Sequence, residues 1–215
     1  MKYQTIIFDW SGTISDDRIP VYEANRVILK RYKKEIPPIE QFLSQTVGTF
    51  QEFARSLGID EDVETLSRLY AEAYERITNS GTTPILFCDV HNSLNTLRNN
   101  NFDLAVLSSH PQKSLEKEAV NYKIREYFTI LRGDSRNKTR DLSTLCKRLS
   151  FSPSKTIYLG DMVQDIKAAK LSGLQSAVIT TGYHSREKLL RENPSIGVFN
   201  TLEEFYVVII GHLNK

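Results

Sequence analysis

Short, unbroken apolar runs alternate along this chain with longer stretches in which apolar residues return every three or four positions. The runs Thr5–Phe8, Leu104–Leu107, Phe128–Leu131, Thr156–Leu159 and Ser176–Ile179 are bounded by Gly, Asp or Ser and show no apolar–polar alternation. Strands buried on both faces read this way, so the runs predict a parallel sheet covered by helices. Helical spacing fills the gaps. Apolar residues stand at Val90, Leu94 and Leu97, and again at Leu142, Leu145 and Leu149. The segment "IKAAKL" from Ile166 stops just before Gly173, the residue type that closes helices in a left-handed conformation. Strand–helix alternation of this kind predicts an α/β, Rossmann-like core with right-handed crossovers.

One region breaks the rhythm. Between about residues 17 and 82 the pattern is helical throughout, in "VYEANRVILKRY", "IEQFLSQTVGTFQEFARSLGI" and "DVETLSRLYAEAYERI". Pro37-Pro38, Gly58 and the closing "NSGTTP" punctuate it. The expected organisation is therefore a core formed by residues 1–16 and 83–215, with a helical domain over 17–82 inserted after the first strand, where it can act as a lid.

Composition narrows the class without changing the fold. A net charge of +2 over 215 residues gives no footprint for nucleic acid or a membrane surface. The densest basic run, Lys30, Arg31, Lys33 and Lys34, reads as the solvated face of a helix. Cys88 and Cys146 are too far apart in sequence for a CxxC pair, and the four histidines form no HxxxH pair, which argues against a disulfide framework or a zinc site. No apolar run approaches the roughly 20 residues that span a bilayer. The N-terminal "MKYQTIIFDW" reads as a strand rather than a leader, and the expectation is a cytoplasmic protein.

Four chemical pieces fall at predicted strand ends or in the loops after them. They are Asp9 followed by the turn Gly12-Thr13, Ser108 at the end of "DLAVLS", Lys138 in the loop "GDSRNK", and Asp161 with Asp165 in "YLGDMVQD". Open α/β sheets bind ligands at the carboxyl ends of their strands, so all four can meet in one crevice. The set suits phosphoryl transfer through an aspartyl phosphate. A carboxylate serves as nucleophile. Two carboxylates with a backbone carbonyl and waters suit octahedral Mg²⁺. A hydroxyl and an ammonium suit the equatorial oxygens that carry charge in the transition state.

These motifs, DxxGT at 9–13, the strand-terminal Ser108, Lys138 and GDxxxD at 160–165, resemble in order and separation those of the haloacid dehalogenase superfamily of phosphohydrolases. The helical insert falls where that family carries its C1 cap. The resemblance implies a Mg²⁺-dependent phosphatase acting on a small phosphorylated metabolite, of which phosphoglycolate is one candidate. It further implies that Asp9 is the nucleophile and that the Ser11 backbone carbonyl is a metal ligand. Asp161 would bind the metal directly, and Asp165 directly or through water. Ser108 and Lys138 would hold the phosphate, with Ser109, Gly12 and Thr13 beside them.

Ser11 departs from the pattern. Phosphatases of this family usually carry a second Asp there, as the acid that protonates the leaving group, a contribution of about 10²–10⁴-fold. "FDWSGT" is also similar to the "FDWAGT" of phosphonoacetaldehyde hydrolases, which form a Schiff base through a cap lysine. The matching stretch here, "VGTFQEFAR", holds Gln51 and no lysine from 47 to 54, so that chemistry lacks its amine. Two further readings stand beside the phosphatase: a phosphotransferase with a long-lived phosphoenzyme, and a phosphate-binding protein with little turnover. His110, two residues after Ser108, reads equally as a substrate contact and as part of a loop entering a helix.

Overall fold

The computed structural model describes residues 3–45 and 50–211. In chain order its elements are β1 (Thr5–Phe8), β2 (Ser15–Asp16), α1 (Arg18–Arg31), α2 (Ile39–Gln45), α3 (Phe50–Ser56), α4 (Val63–Asn79) and β3 (Ile85–Leu86). There follow α5 (Val90–Asn99), β4 (Asp103–Leu107), α6 (Gln112–Asn121), β5 (Ile130–Arg132), α7 (Lys138–Leu149), β6 (Thr156–Gly160) and α8 (Val163–Leu171). The chain closes with β7 (Gln175–Ile179), α9 (Arg186–Arg191), β8 (Gly197–Phe199) and α10 (Leu202–Gly211). Two compact units result, one of residues 1–15 with 86–215 and one of residues 16–85. The short strands β2 and β3 pair as a two-stranded ribbon where the chain passes from one unit to the other.

The larger unit is a six-stranded sheet in the order β5-β4-β1-β6-β7-β8, parallel at every pairing. Strand β1 feeds both faces in turn, as a period of two requires. Ile6 and Phe8 pack with Leu94, Val106 and Leu159 in one apolar cluster, and Ile7 packs with Leu107, Leu145 and Tyr158 in another. Two covered faces explain why the strands read as unbroken apolar runs. From β1 the chain builds outward through β4 and β5, then returns to lay β6 on the other side of β1. That reversal is a topological switch point, and it opens the crevice at the carboxyl end of β1. Phe8 stands in register with Val106 on one side and Leu159 on the other, so the residues just beyond three neighbouring strands share one edge.

Several details differ from the sequence pattern. Strand β5 starts at Ile130 rather than Phe128, because Arg125–Tyr127 form a 3₁₀ turn and Phe128 packs edge-on against Phe8. Strand β8 has only three residues, too few to show a pattern. Gly173, with φ of +74°, follows α8 as expected, and its N–H donates to Lys170 O.

The smaller unit is a helical bundle with its own core, in which Ala24, Ile28, Phe42, Phe53, Leu66 and Tyr74 are buried. Phe50 and Phe53 belong to that core, and Gln51 donates to Ser67 Oγ. Asp62 caps α4 by accepting from Thr65 N, as its position before the helix favours. Lys30, Arg31, Lys33 and Lys34 are exposed at the C-terminal end of α1, where cations oppose the helix dipole. Residues 46–49, the start of the "VGTFQEFAR" stretch included, lie outside the described residues.

Candidate active site

Asp9 follows β1 directly and is buried, its Oδ1 accepting from Trp10 N at 2.8 Å. Lys138 is the first residue of α7 rather than a loop residue, and Asn137 caps that helix by accepting from Arg140 N. From there Lys138 Nζ donates to Asp9 Oδ2 and to Asp165 Oδ1, both at 2.7 Å. The neighbouring arginines do not compete for this place: Arg136 is exposed, and Arg140 pairs with Asp141 at the surface. The Tyr158 ring lies under the ammonium, with Nζ 5.8 Å from its centroid.

Asp165 sits in the first turn of α8, not in the loop before it. Its Oδ2 accepts from Asp161 N and Met162 N, so it caps the helix while its other oxygen faces Lys138. One side chain thus serves the helix terminus and the Lys138 ammonium together. Asp161, just past β6, accepts from Tyr183 N through Oδ2 at 2.7 Å, while its Oδ1 is buried without a hydrogen-bond partner. Ser108 is buried at the end of β4, where its hydroxyl acts to lower the pKa of Asp9, and it accepts from His110 N at 3.2 Å. It does not cap α6, whose N-cap is Pro111. Ser109 is exposed beside it.

The turn at 10–13 works by close approach. Gly12 has φ of +73°, its N–H donates to Ser15 O and its carbonyl accepts from Thr181 Oγ1. A Cβ at Gly12, or at Gly182, would run into the Asp161 carboxyl, so both glycines let backbone close over that side chain. Thr13 Oγ1 is buried without a partner.

Burial dominates the electrostatics. It pushes the Asp161 carboxyl well above its ordinary range, and the charges of Asp165 and Asp9 push it further. The Asp9 carboxyl is also raised by burial, against the opposing pull of Lys138. For Lys138 burial acts to lower the pKa, but Asp165 and Asp9 outweigh it and hold the ammonium well above its usual value.

Among the described residues, ligand oxygens of Asp9, Asp161 and Asp165 all lie within 4.8 Å of one another. One ammonium faces three buried carboxylates, and one carboxylate oxygen is orphaned. Isolated buried charge is expensive, and an oxygen-only donor set of this kind fits a hard cation.

Sequence reasoning missed four contributors. Gly182 and Tyr183 follow β7, so the strand-end rule that flagged Asp9 also covers them. Tyr158 is hidden inside an apolar run. Glu118, on α6, accepts from Trp10 Nε1 at 2.7 Å across 108 positions of sequence, and no local signal marks it.

A family model described as haloacid dehalogenase-like hydrolase matches residues 6–179. The chain belongs to this family. It is similar to a phosphoglycolate phosphatase of Synechococcus elongatus, 25% identical over 199 residues that cover 89% of this chain and 90% of that protein. It is also similar to a phosphoglycolate phosphatase of Salmonella typhimurium, 28% identical over 142 residues, 64% of this chain and 56% of that relative. Two solved structures share the fold. A haloacid dehalogenase-like hydrolase from Bacteroides fragilis superposes with a TM-score of 0.82 at 21% identity, over 95% of this chain and all of that one (100%). A predicted phosphatase from Clostridium acetobutylicum gives a TM-score of 0.84 at 20% identity, over 98% and 100%. No helix among the described residues is long and apolar enough to cross a membrane.

Proposed function

We propose that the protein is a phosphatase that hydrolyses a small phosphomonoester through a phosphorylated Asp9. The observation that carries this reading is the joining of Asp9 and Asp165 by Lys138 at 2.7 Å each, beside Asp161, at the carboxyl edge of β1 and β6. The relatives named phosphoglycolate phosphatase favour a two-carbon phosphate as substrate.

The Asp9 carboxylate attacks phosphorus, the P–O bond to the leaving group breaks, and an aspartyl phosphate forms. Lys138 Nζ and Ser108 Oγ donate to the equatorial oxygens, where charge resides in a loose phosphoryl-transfer transition state. Lys138 also holds Asp9 in place through the contact already described. Mg²⁺ is the expected cofactor: Asp9, Asp161, Asp165 and the Ser11 carbonyl would hold it, and it would supply neutralisation of phosphate charge. Ser109, Gly12 and Thr13 are assigned to the phosphate side of the site, Gly12 through its missing side chain, which lets backbone close over Asp161.

The test is a panel of phosphorylated metabolites that includes phosphoglycolate, assayed with Mg²⁺ and with excess EDTA for wild type and Asp9→Asn. Asp9→Asn should fold normally and lose turnover, since an amide is a poor nucleophile. Turnover above about a tenth of wild type would remove Asp9 from the reaction, and full activity in EDTA would remove the metal.

A further inference from the structure

The serine at position 11 leaves the proposed reaction without its usual proton donor, and the structure places a different group behind that serine. His110 Nδ1 faces Ser11 Oγ at 3.5 Å, and His110 Nε2 meets Glu118 Oε1 at 2.9 Å. The other oxygen of Glu118 accepts from Trp10 Nε1 at 2.7 Å and from Ser15 Oγ at 3.4 Å. An indole N–H can only donate, so Glu118 Oε2 is necessarily an acceptor. Tyr122 closes the group by stacking on Trp10 and hydrogen-bonding Ser15 Oγ at 2.9 Å.

The side chains of His110 and Glu118 are 1% and 9% exposed, whereas Ser11 is only half-buried. Burying an imidazole and a carboxylate inside an apolar cluster is unfavourable unless each is held by partners, and here each is. The Glu118 contact keeps the proton on His110 Nε2 and leaves Nδ1 as the nitrogen that exchanges a proton toward the crevice. A carboxylate orienting an imidazole, which in turn meets a hydroxyl, is the arrangement by which a weakly acidic hydroxyl is made to exchange protons. At 3.5 Å the outer contact is long, as such contacts often are before substrate binds.

We propose that Ser11 Oγ, backed by His110 and Glu118, is the proton relay of this enzyme in place of a second aspartate. The inference rests on the phosphatase reading above. The relay starts with His110 protonated on both ring nitrogens beside the Glu118 carboxylate. As the bond from phosphorus to the leaving oxygen breaks, the Ser11 hydroxyl proton passes to that oxygen and the Nδ1 proton of His110 passes to Ser11 Oγ, which leaves the ring neutral with its proton on Nε2. In the second step water attacks phosphorus and the bond to Asp9 breaks. One proton of that water moves to Ser11 Oγ, and the hydroxyl proton returns to His110 Nδ1. Ser11 is the catalytic residue of the set, while His110 and Glu118 act through it as positioning residues. Trp10 fixes Glu118, which explains an indole next to the nucleophile.

The relay is tested with a series of phosphate monoesters from p-nitrophenyl phosphate to alkyl phosphates including phosphoglycolate, at saturating Mg²⁺. The proteins compared are wild type, Ser11→Ala and His110→Gln, the last keeping a donor for Glu118. Ser11→Ala is a small change at a half-buried turn residue and is read even where His110→Gln fails to fold. The variants should lose about 10²–10⁴-fold on alkyl phosphates and less than about tenfold on p-nitrophenyl phosphate, whose leaving group needs no proton. Acid quench should find phosphorylated Asp9 accumulating in the variants but not in wild type. A purely structural role predicts equal losses on both kinds of ester. Equal losses, or none, in an active background would overturn the relay alone. A wild type inert toward the whole series would overturn the phosphatase reading and the relay with it.

Discussion

Asp161 is the least compensated of the three clustered carboxylates, so removing its charge should stabilise the metal-free protein while ending its response to Mg²⁺. Asp9 and Asp165 share the Lys138 ammonium, but Asp161 has one backbone N–H on Oδ2 and a buried, unpartnered Oδ1. Asp161→Asn keeps the shape and the Tyr183 contact, and it turns the orphaned oxygen into a donor facing its acidic neighbours. Replacing buried ionic groups by neutral ones of the same shape stabilises proteins by up to about 4 kcal/mol, and about 2 kcal/mol is expected here. For a chain of this size that raises Tm by about 4–8 °C. The sign with pH follows from the raised folded pKa of Asp161. Between its ordinary value of 3.8 and that folded value, the native state binds more protons than the unfolded state. Wild-type stability from this group therefore falls as pH rises through the window, and the advantage of the variant shrinks as pH is lowered toward 3.8. Melting curves in excess EDTA at neutral and acid pH measure the difference. A companion scan with Mg²⁺ at about 100 times its Kd should stabilise wild type by about 2.7 kcal/mol and leave the variant unmoved. A variant that melts at or below the wild-type temperature in EDTA at neutral pH would refute the argument, as would an equal Mg²⁺ shift in both proteins.

Three further substitutions probe the same edge of the sheet. Lys138→Met leaves three buried carboxylates with no cation and should destabilise the metal-free protein by about 3–5 kcal/mol in urea unfolding; a loss under about 1 kcal/mol would mean the ion pairs are not formed. Gly182→Ala forces a methyl group into the Asp161 carboxyl, so turnover should collapse and stability should drop by about 1–3 kcal/mol, and an unchanged specific activity would contradict the close approach. Trp10→Phe keeps most of the buried ring but withdraws the donor from Glu118. It should cost about 1–3 kcal/mol by chemical denaturation, and unaltered stability would show that Glu118 does not depend on the indole.

The hydrophobic pattern determined more of the fold than of the site. Thr5–Phe8 and Thr156–Leu159 read as doubly covered strands because their neighbours in sequence bound short, unbroken apolar runs, and both lie in the parallel sheet. Asp9, Ser108 and Asp161 were legible for the same reason, since each lies just beyond such a run and the edge of a parallel sheet is where its loops gather. Boundaries set by a 3₁₀ turn or by three residues at a sheet edge, as at Phe128 and β8, escape a pattern that needs several residues to show itself. What only the tertiary structure decided is which of these groups touch. Lys138 reaches Asp9 across 129 positions and Asp165 across 27, and Glu118 reaches Trp10 across 108. Such partners depend on β6 returning to the far side of β1 and on where α6 lies against the turn after it. Local spacing carries no information about strand order. For that reason Ser11 read from its neighbours is an aspartate missing from its place, while in the fold it is a hydroxyl with a buried histidine and glutamate behind it.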